Sequence, residues 1–282
     1  MVPPIDYLII GHLSYDITPN GVRVGGTVSY AAVTAKAFNK SVGVVSSWGE
    51  EAELDIGELK NIPFFYTTSS RSTTFHNILS ANGRKQILHY CANPIKTSDV
   101  PDEWRNTPLI HIAPIINEVP VEMITSCAPQ FLGITPQGWF RSWNDDGIVH
   151  PIEWNSFLHS QSFIHLAYAD AVVISDEDVG FEQSKIDDLA NQCKLLVVTQ
   201  GAKGANVYWQ GKINHFEAPV VKEIDPVGAG DVFASTFFIH LHDTQDILYS
   251  AKVAVRIAAF SVTRAGQHSA PTHQEINSVL KE

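Results

Sequence analysis

Small residues and one carboxylate stand together at Gly228-Ala229-Gly230-Asp231, immediately before the apolar run of residues 232–238. Glycine lets the backbone approach a ligand closely and adopt unusual dihedral angles. Because the segment leads into a predicted helix, free N–H groups and the positive end of the helix dipole favour an anion such as a phosphate there. Asp231 would repel that anion, but it suits a base that takes the proton of a hydroxyl while the amides hold a transferring phosphoryl group. A helix N-cap with a flexible entry turn also fits these residues.

Alternating strands and helices must position this segment. Residues 7–11 form an apolar run that ends in glycine, residues 28–38 have a helical pattern, and residues 42–47 form a second apolar run. This β-loop-α-β order predicts a parallel sheet covered by helices. Further strands are predicted at residues 109–113, 131–134, 171–174 and 195–198, a short hairpin at 206–209 and 215–218, and helices at 229–240 and 246–263. We predict an α/β fold with a central, mostly parallel sheet and a single domain over residues 1–282.

One stretch departs from this alternation. Residues 73–79 and 85–90 are rich in strand-forming side chains and flank Ala81-Asn82-Gly83-Arg84. An Asn-Gly pair is a strong hairpin signal, because both residues tolerate the positive φ of a type I′ turn. We therefore predict a small β lid, with its strands mainly within residues 63–91.

The composition excludes several classes of protein. The 282 residues carry 19 basic and 30 acidic side chains, for a formal net charge of −11, which argues against a nucleic-acid partner. No apolar run reaches the roughly 18 residues that a membrane span needs. The three cysteines, Cys91, Cys127 and Cys193, form no Cys-x-x-Cys pair, so we expect free thiols and a cytoplasmic location.

Four motifs along the chain resemble those of the PfkB family of carbohydrate kinases, to which ribokinase belongs. The segment Asp225-Pro226-Val227-Gly228-Ala229-Gly230-Asp231 is similar to the C-terminal signature of that family, and Asp16 and Gly25-Gly26 stand where it carries its substrate-binding Asp and Gly-Gly. Residues 198–205 look like its Thr-x-Gly-x-x-Gly nucleotide loop, and residues 262–266 resemble the segment that closes over the adenine. The resemblance covers the whole chain and implies a ribokinase-like fold and an ATP-dependent kinase that acts on a sugar or polyol hydroxyl.

The resemblance also implies roles for individual residues. Asp231 is the expected catalytic base, and the expected anion hole consists of the amides of Gly228, Ala229 and Gly230. The expected nucleotide pocket includes Thr199, Gly201, Lys203, Gly204 and Gly266. The acceptor is expected to contact Asp16, Gly25, Gly26 and Thr27, under a lid that excludes water. ATP and Mg²⁺ are the expected cofactors, with Asp178 as the metal ligand, and Asp225 and the Val227 carbonyl border a candidate monovalent-cation site.

Three positions depart from the family pattern. Thr27 stands where an Asn often follows Gly-Gly, and Thr135 stands where many sugar kinases carry Asp. The Asn-x-x-Glu magnesium motif becomes Ser175-Asp176-Glu177-Asp178, which keeps a carboxylate and loses the amide. An oxygen-rich site for Mg²⁺ remains, but with a different ligand set.

The variant pattern resembles the myo-inositol kinase branch, so myo-inositol is the first expected acceptor. The similarity lies in residues 25–32, 73–77, 83–86 and 136–141. Gln137 and Arg141 follow a predicted strand end, where open α/β sheets bind ligands, and their hydrogen-bond donors suit a ring of hydroxyls. A surface loop with a structural arginine is the other interpretation.

The sequence leaves three alternatives to compare. Another sugar, a sugar acid or a nucleoside fits the same motifs, because acceptor contacts come from scattered loops. A non-catalytic nucleotide- or polyol-binding protein fits the altered magnesium motif, but it does not need a carboxylate in an anion hole. A dinucleotide-dependent dehydrogenase needs Gly-x-Gly-x-x-Gly after the first strand, which residues 11–15 do not supply. The lid edge is compatible with a monomer or a homodimer.

Overall fold

The computed structural model describes residues 2–19, 21–49, 56–80 and 83–281. The strands in these ranges are β1 (Tyr7–Ile10), β2 (Ser14–Thr18), β3 (Gly21–Gly25), β4 (Val42–Gly49), β5 (Phe64–Ser69), β6 (Thr73–Ser80), β7 (Gly83–Tyr90), β8 (Leu109–Ile112), β9 (Phe131–Ile134), β10 (Arg141–Trp143), β11 (Val149–Pro151), β12 (Ala171–Ser175), β13 (Leu195–Thr199), β14 (Ala205–Trp209) and β15 (Lys212–Phe216).

The α-helices in the same ranges are α1 (Thr27–Ala37), α2 (Met123–Ser126), α3 (Trp154–Leu158), α4 (Gln161–His165), α5 (Gln183–Gln192), α6 (Ala229–Thr244), α7 (Ile247–Ser261) and α8 (His273–Leu280). Within the described part of the chain, none of these helices has the length and apolar character that crossing a membrane requires.

The large sheet has the strand order β15-β14-β13-β12-β9-β8-β1-β4-β5. Neighbouring strands from β13 to β5 pair in parallel, whereas β14 and β15 add an antiparallel edge. The chain passes from β1 to β4 on one side and returns to β8 on the other, so the strand order reverses between β1 and β8. Ligands of open α/β sheets bind at such a point, beyond the carboxyl ends of the strands.

The parallel strands are buried on both faces. In β1, Tyr7 and Ile9 belong to one core cluster, and Leu8 and Ile10 belong to another. Successive side chains of a strand point to opposite faces, so a continuous apolar run is what a strand between two helical layers needs. Helices α1, α6 and α7 contribute to the first cluster.

Helix α6 lies at the centre of its layer. Its residues 232–241 are all buried, and it packs against α1, α7, β8 and β12. Most of these residues are apolar, as expected for a helix that protein surrounds. This packing holds the N-terminus of α6, which carries Asp231, at the edge of the sheet where the strands end.

A second sheet has the strand order β3-β2-β6-β7, and we call it the lid. Strand β2 pairs antiparallel with β3 and parallel with β6, and β6 and β7 form an antiparallel hairpin in which Asn77 lies opposite Gln86. The predicted hairpin of residues 73–90 is therefore confirmed, whereas its turn at Ala81 and Asn82 lies outside the described residues.

The predicted fold class, a mostly parallel sheet flanked by helices with a small second sheet, is confirmed. The sequence pattern does not predict β2 and β3, which belong to the lid. Phe64–Ser69 falls in the range expected for the lid but joins the large sheet. The strand predicted at residues 215–218 lies earlier in the chain in the structure, where β15 spans Lys212–Phe216. The division of the chain into one domain with a lid stays a prediction.

Candidate active site

A glycine in a left-handed conformation starts helix α6. Gly228 is the N-cap residue, with φ 85°, and Asp231 lies in the first turn of the helix. A Cβ at Gly228 would overlap the ring of Tyr30, which belongs to α1. Both the positive φ and the close approach of Tyr30 therefore require glycine at this position.

The backbone amides at this helix start are unequally engaged. The amide of Ala229 donates to the Pro226 carbonyl at 3.2 Å. The amides of Gly228 and Gly230 have no hydrogen-bond partner among the described residues. A Cβ at Gly230 would meet no atom within 4 Å, so open space lies in front of it. Of the three predicted anion-hole amides, two are therefore available to an anion in this structure.

The carboxyl of Asp231 lies in an environment that disfavours its charged form. Its pKa is raised to about 6, chiefly by burial and in addition by the nearby negative charges of Asp178 and Asp16. A hydrogen bond from the Thr27 hydroxyl and the positive charge of Arg141 act in the opposite direction. A carboxyl with a pKa near neutrality, at a helix N-terminus and partly accessible to solvent, has the properties of a general base. The structure thus brings Asp16, Thr27, Arg141 and Asp178 to within electrostatic reach of Asp231.

The lid contributes a chain of polar side chains beside this carboxyl. Gln86 Nε2 donates to Asn77 Oδ1 at 2.9 Å, and Asn77 Nδ2 donates to Asp16 Oδ1 at 3.4 Å. Gly25 lies against Asp16, because a Cβ at this position would overlap Asp16 Oδ2. Gly26, with φ 83°, starts helix α1 directly before Thr27. The sequence motifs include Asn77 and Gln86 but do not show that Asn77 contacts Asp16 or that Gln86 contacts Asn77.

The turn after β12 carries the predicted metal ligand. Asp178 Oδ2 accepts from the Ser175 amide at 2.9 Å, and Asp178 Oδ1 accepts from Gln137 Nε2 at 2.9 Å. Arg141, in β10, donates to the Ile115 carbonyl at 3.2 Å. Gln137 therefore orients Asp178, and its predicted contact with an acceptor stays a prediction.

The predicted nucleotide loop borders a cavity. Thr199 ends β13 and donates from Oγ1 to the Ile174 carbonyl at 3.2 Å, and a 3₁₀ turn (Gly201–Lys203) follows it. Gly204 has φ 98° and lies against Phe216 and Ala218, because a Cβ there would overlap the Phe216 carbonyl. Phe216 and Ala218 line a cavity of about 640 Å³, together with His215, Lys252, Val255 and Arg256.

Lys203 and Gly266 are the two remaining residues of the predicted nucleotide pocket. The positive charge of Lys203 acts on Asp176, which in turn lies near Asp178. The loop and the turn after β12 are therefore close, as expected for the carboxyl ends of adjacent parallel strands. Gly266 begins a 3₁₀ turn (Gly266–Ser269) that packs against α1, β3 and α7.

The residues present fit a magnesium ion that is held mainly by substrate phosphates and by few protein side chains. No group of three or more His, Cys, Asp or Glu side chains within the described ranges could hold a metal ion alone. Mg²⁺ typically keeps several waters and binds through one or two carboxylates plus substrate phosphates. Asp178, which faces the same region as Asp231, suits that mode.

The residues around Asp225 do not fit a monovalent cation. Asp225 Oδ2 accepts from Arg23 Nη1 at 2.7 Å, and Asp225 Oδ1 accepts from the Val227 amide at 3.1 Å. A guanidinium on one oxygen and an amide N–H on the other occupy the carboxylate and repel a second positive charge. The predicted cation site therefore holds an arginine of the chain itself, a contact that joins residues 202 positions apart in the sequence.

Thr135 faces the core. Its hydroxyl lies 2.9 Å from His111 Nε2, and His111 Nδ1 lies 2.7 Å from the Tyr7 hydroxyl. Burial lowers the pKa of His111 to about 3, so this imidazole is neutral and links two hydroxyl groups. At the position where many sugar kinases carry Asp, this chain therefore has a threonine that belongs to a buried hydrogen-bond network.

Comparison with known proteins identifies related sequences. The model of the pfkB family of carbohydrate kinases matches residues 162–274, which include the nucleotide loop and the start of α6. A fructokinase of Escherichia coli is 28% identical over 200 residues, which cover 65% of this chain and 64% of that protein. An inositol 3-kinase of Zea mays is 23% identical over 258 residues, which cover 83% of this chain and 66% of that protein. The chain thus spans just under two thirds of the length of each of these relatives.

Solved structures share the fold. A pyrophosphate-dependent kinase of the ribokinase family, complexed with a pyrophosphate analogue and myo-inositol, superimposes with a TM-score of 0.79 at 18% sequence identity. The superposition covers 96% of this chain and 99% of that one. The predicted ribokinase-like fold is therefore confirmed. The family match also contains the segment with Asp231 and the glycines before it, so residues 162–274 of this chain are similar to the pfkB family of carbohydrate kinases.

Proposed function

We propose that this protein is an ATP-dependent kinase that transfers the γ-phosphoryl group to a hydroxyl of a polyol or sugar, with myo-inositol as the first candidate acceptor. The observation that carries this proposal is Asp231, a carboxyl with a pKa of about 6 in the first turn of α6, beside two unpaired backbone amides. A protein that only binds its ligand has no need to keep such a carboxyl beside an anion site.

The proposed reaction needs little covalent chemistry from the protein. The acceptor hydroxyl oxygen forms a bond to the γ-phosphorus while the bond to the β,γ-bridging oxygen breaks, and Asp231 takes the hydroxyl proton. The amides of Gly228 and Gly230 stabilise the charge on the transferring group. A bound Mg²⁺, held by phosphate oxygens and Asp178, would neutralise phosphate charge. ADP then leaves, and its terminal phosphate keeps the bridging oxygen and the negative charge that forms on it.

The lid and Arg141 support a polyol as the acceptor. Asp16, Asn77 and Gln86 form a directed series of donors and acceptors on the lid, and the guanidinium of Arg141 lies near enough to Asp231 to lower its pKa. Several hydroxyls of one ring can each use such a group. The similarity to an inositol 3-kinase and to a myo-inositol-bound kinase agrees with this choice. Fructose, another sugar, a sugar acid or a nucleoside is the alternative acceptor.

The cavity beside the nucleotide loop favours ATP over pyrophosphate as the donor. Its volume of about 640 Å³ provides space for a nucleoside, and its lining combines apolar side chains such as Phe216 and Val255 with charged ones such as Lys252 and Arg256. Pyrophosphate has no group to fill it. Because a structural neighbour is pyrophosphate-dependent, pyrophosphate is the alternative donor that the experiment must include.

The test is product formation, measured by mass spectrometry, with each donor and a panel of myo-inositol, ribose, fructose, 2-keto-3-deoxygluconate and adenosine. We expect ATP and Mg²⁺ to phosphorylate myo-inositol with the highest kcat/KM. Turnover with pyrophosphate and not ATP would contradict the donor assignment. Ligand-induced thermal stabilisation without any phosphorylated product would indicate the non-catalytic binding protein.

The pH dependence provides a second test of Asp231. A base must be ionised to accept a proton, so kcat/KM should fall about ten-fold per pH unit below a break near pH 6 and stay level above it. Thr27→Val removes a hydrogen bond that lowers the pKa of Asp231, so the break should move to higher pH by less than about one unit. The donor phosphate titrates identically with both proteins, so a break that does not move would contradict the assignment to Asp231.

A further inference from the structure

An ion pair joins the lid to the start of the anion-binding segment. Arg23 lies in β3 of the lid, and Asp225 lies three residues before Gly228. Arg23 Nη1 and Asp225 Oδ2 are 2.7 Å apart, and their side chains are only 31% and 14% exposed. A charge pair that is partly shielded from water is stronger than one on the open surface.

Asp225 is anchored through its amide and both of its carboxylate oxygens. The amides of Ile224 and Asp225 both donate to the Val262 carbonyl, at 2.7 and 3.1 Å, at the end of α7. Asp225 Oδ1 accepts from the Val227 amide at 3.1 Å, which sets the turn that leads to Gly228. The remaining oxygen, Oδ2, is held by Arg23. Without Arg23 this carboxylate would have one charged oxygen without a positive partner.

The surroundings of Arg23 favour a permanent positive charge. Burial opposes the charge, but the hydrogen bond to Asp225 and the negative charges of Asp225 and Asp16 outweigh it and raise the pKa of Arg23. Asp16 lies on β2 and pairs with Arg23 of β3 in the lid register. Arg23 thus lies between the carboxylate that faces the acceptor and the carboxylate that holds the phosphate-binding turn.

We propose that Arg23 takes the place of a dissociable monovalent cation: its guanidinium neutralises Asp225, holds the turn of residues 225–228, and links the position of the lid to the amides that bind the transferring phosphoryl group. Arg23 is a positioning residue, since it acts through Asp225. Gly25, which contacts Asp16, lies two residues further along the same strand. A movement of β3 that changes the acceptor site therefore also acts on the phosphate-binding turn. This inference rests on the proposed function of the site.

The first experiment uses the unmodified protein. Its thermal unfolding and its kcat are measured in potassium chloride and in tetramethylammonium chloride at equal ionic strength. We expect Tm to agree within about 1 °C, since an ion that does not bind the folded state does not stabilise it. We expect kcat to agree within about two-fold, against the roughly hundred-fold effects of a misplaced reacting group. A potassium-specific rise in Tm or a ten-fold activation by potassium would overturn the proposal.

The second experiment compares Arg23→Met with Arg23→Lys. Arg23→Met leaves Asp225 without its cation, so kcat should fall roughly 10- to 100-fold through a displaced turn. Potassium, but not tetramethylammonium, should then raise both Tm and kcat, because the freed carboxylate can bind it. Arg23→Lys should keep most of the activity and show no response to potassium. Equal losses in both variants, or no potassium response of Arg23→Met, would also overturn the proposal.

The Tm comparison does not depend on turnover. If the panel of acceptors gives no product, the proposed function fails, while the response of Tm to potassium still tests the role of Arg23. If Arg23→Met does not fold, the unmodified protein alone decides whether a potassium ion binds.

Discussion

Asp231→Asn should lower kcat with the preferred acceptor by about 10²–10⁴-fold, the range that a positioned general base contributes. Asparagine has nearly the shape of aspartate and keeps a partner for the Thr27 hydroxyl, but it cannot accept a proton. Because the change affects the transition state more than ground-state binding, the KM values for acceptor and donor should change by less than about ten-fold. Asp187→Asn, which removes an exposed carboxylate in α5, is the matched control and should leave kcat unchanged.

The same variant should be more stable than the unmodified protein at pH 8. The pKa of Asp231 rises from 3.8 in the unfolded chain to about 6 in the folded one. Between these values the folded state holds more protons, so the free energy of unfolding falls as pH rises through this window. At pH 8 the full cost of the buried charge is present, on the order of 1–3 kcal/mol. Asp231→Asn removes that cost.

Thermal unfolding at two pH values measures this effect. Tm of Asp231→Asn should exceed that of the unmodified protein at pH 8, and the difference should shrink towards pH 4, where Asp231 itself becomes protonated. An inactive variant with a lower Tm at pH 8 would mean that Asp231 stabilises the fold and would contradict its assignment as a strained base. An active variant would contradict the proposed mechanism.

The sequence predicts the parts of this site that are local. Residues 225–238 combine a glycine-rich turn with an apolar helix, and both properties can be recognised without the fold. The strands of the large sheet are also recognisable, because burial on both faces makes them continuous apolar runs. Strands β2 and β3 are not, since they mix polar and apolar side chains over five residues each.

Contacts between distant parts of the chain cannot be predicted from local patterns. Arg23 and Asp225 are 202 residues apart, and Thr27 and Asp231 meet only because α1 packs beside α6. A single signal could have identified Arg23: a cation two residues before Gly25, beside the apolar Val22 and Val24. That Asp225 is the partner of Arg23 can be recognised only in the folded structure, where the lid lies beside the segment that precedes α6.

Gly228→Ala should reduce kcat roughly 100-fold by displacing the amides at the start of α6. The left-handed conformation of Gly228, with φ 85°, disfavours any side chain, and the added Cβ would overlap the Tyr30 ring. The ring belongs to α1 and is only 2% exposed, so it cannot move aside into solvent. The turn must move instead, and with it the Gly228 and Gly230 amides.

Gly211→Ala separates the strain of the backbone from the displacement of the turn. Gly211 has φ 72° in the turn between β14 and β15, and a Cβ there would meet no atom within 4 Å. This control should lose about 1 kcal/mol of stability, the usual cost of a side chain in a left-handed conformation, and keep its kcat. Gly228→Ala should lose more stability than the control, and nearly all of its activity. If both variants lost equal stability and Gly228→Ala kept its kcat, the amides at the start of α6 would not be the anion hole, and Asp231 would act beside a phosphoryl group held elsewhere.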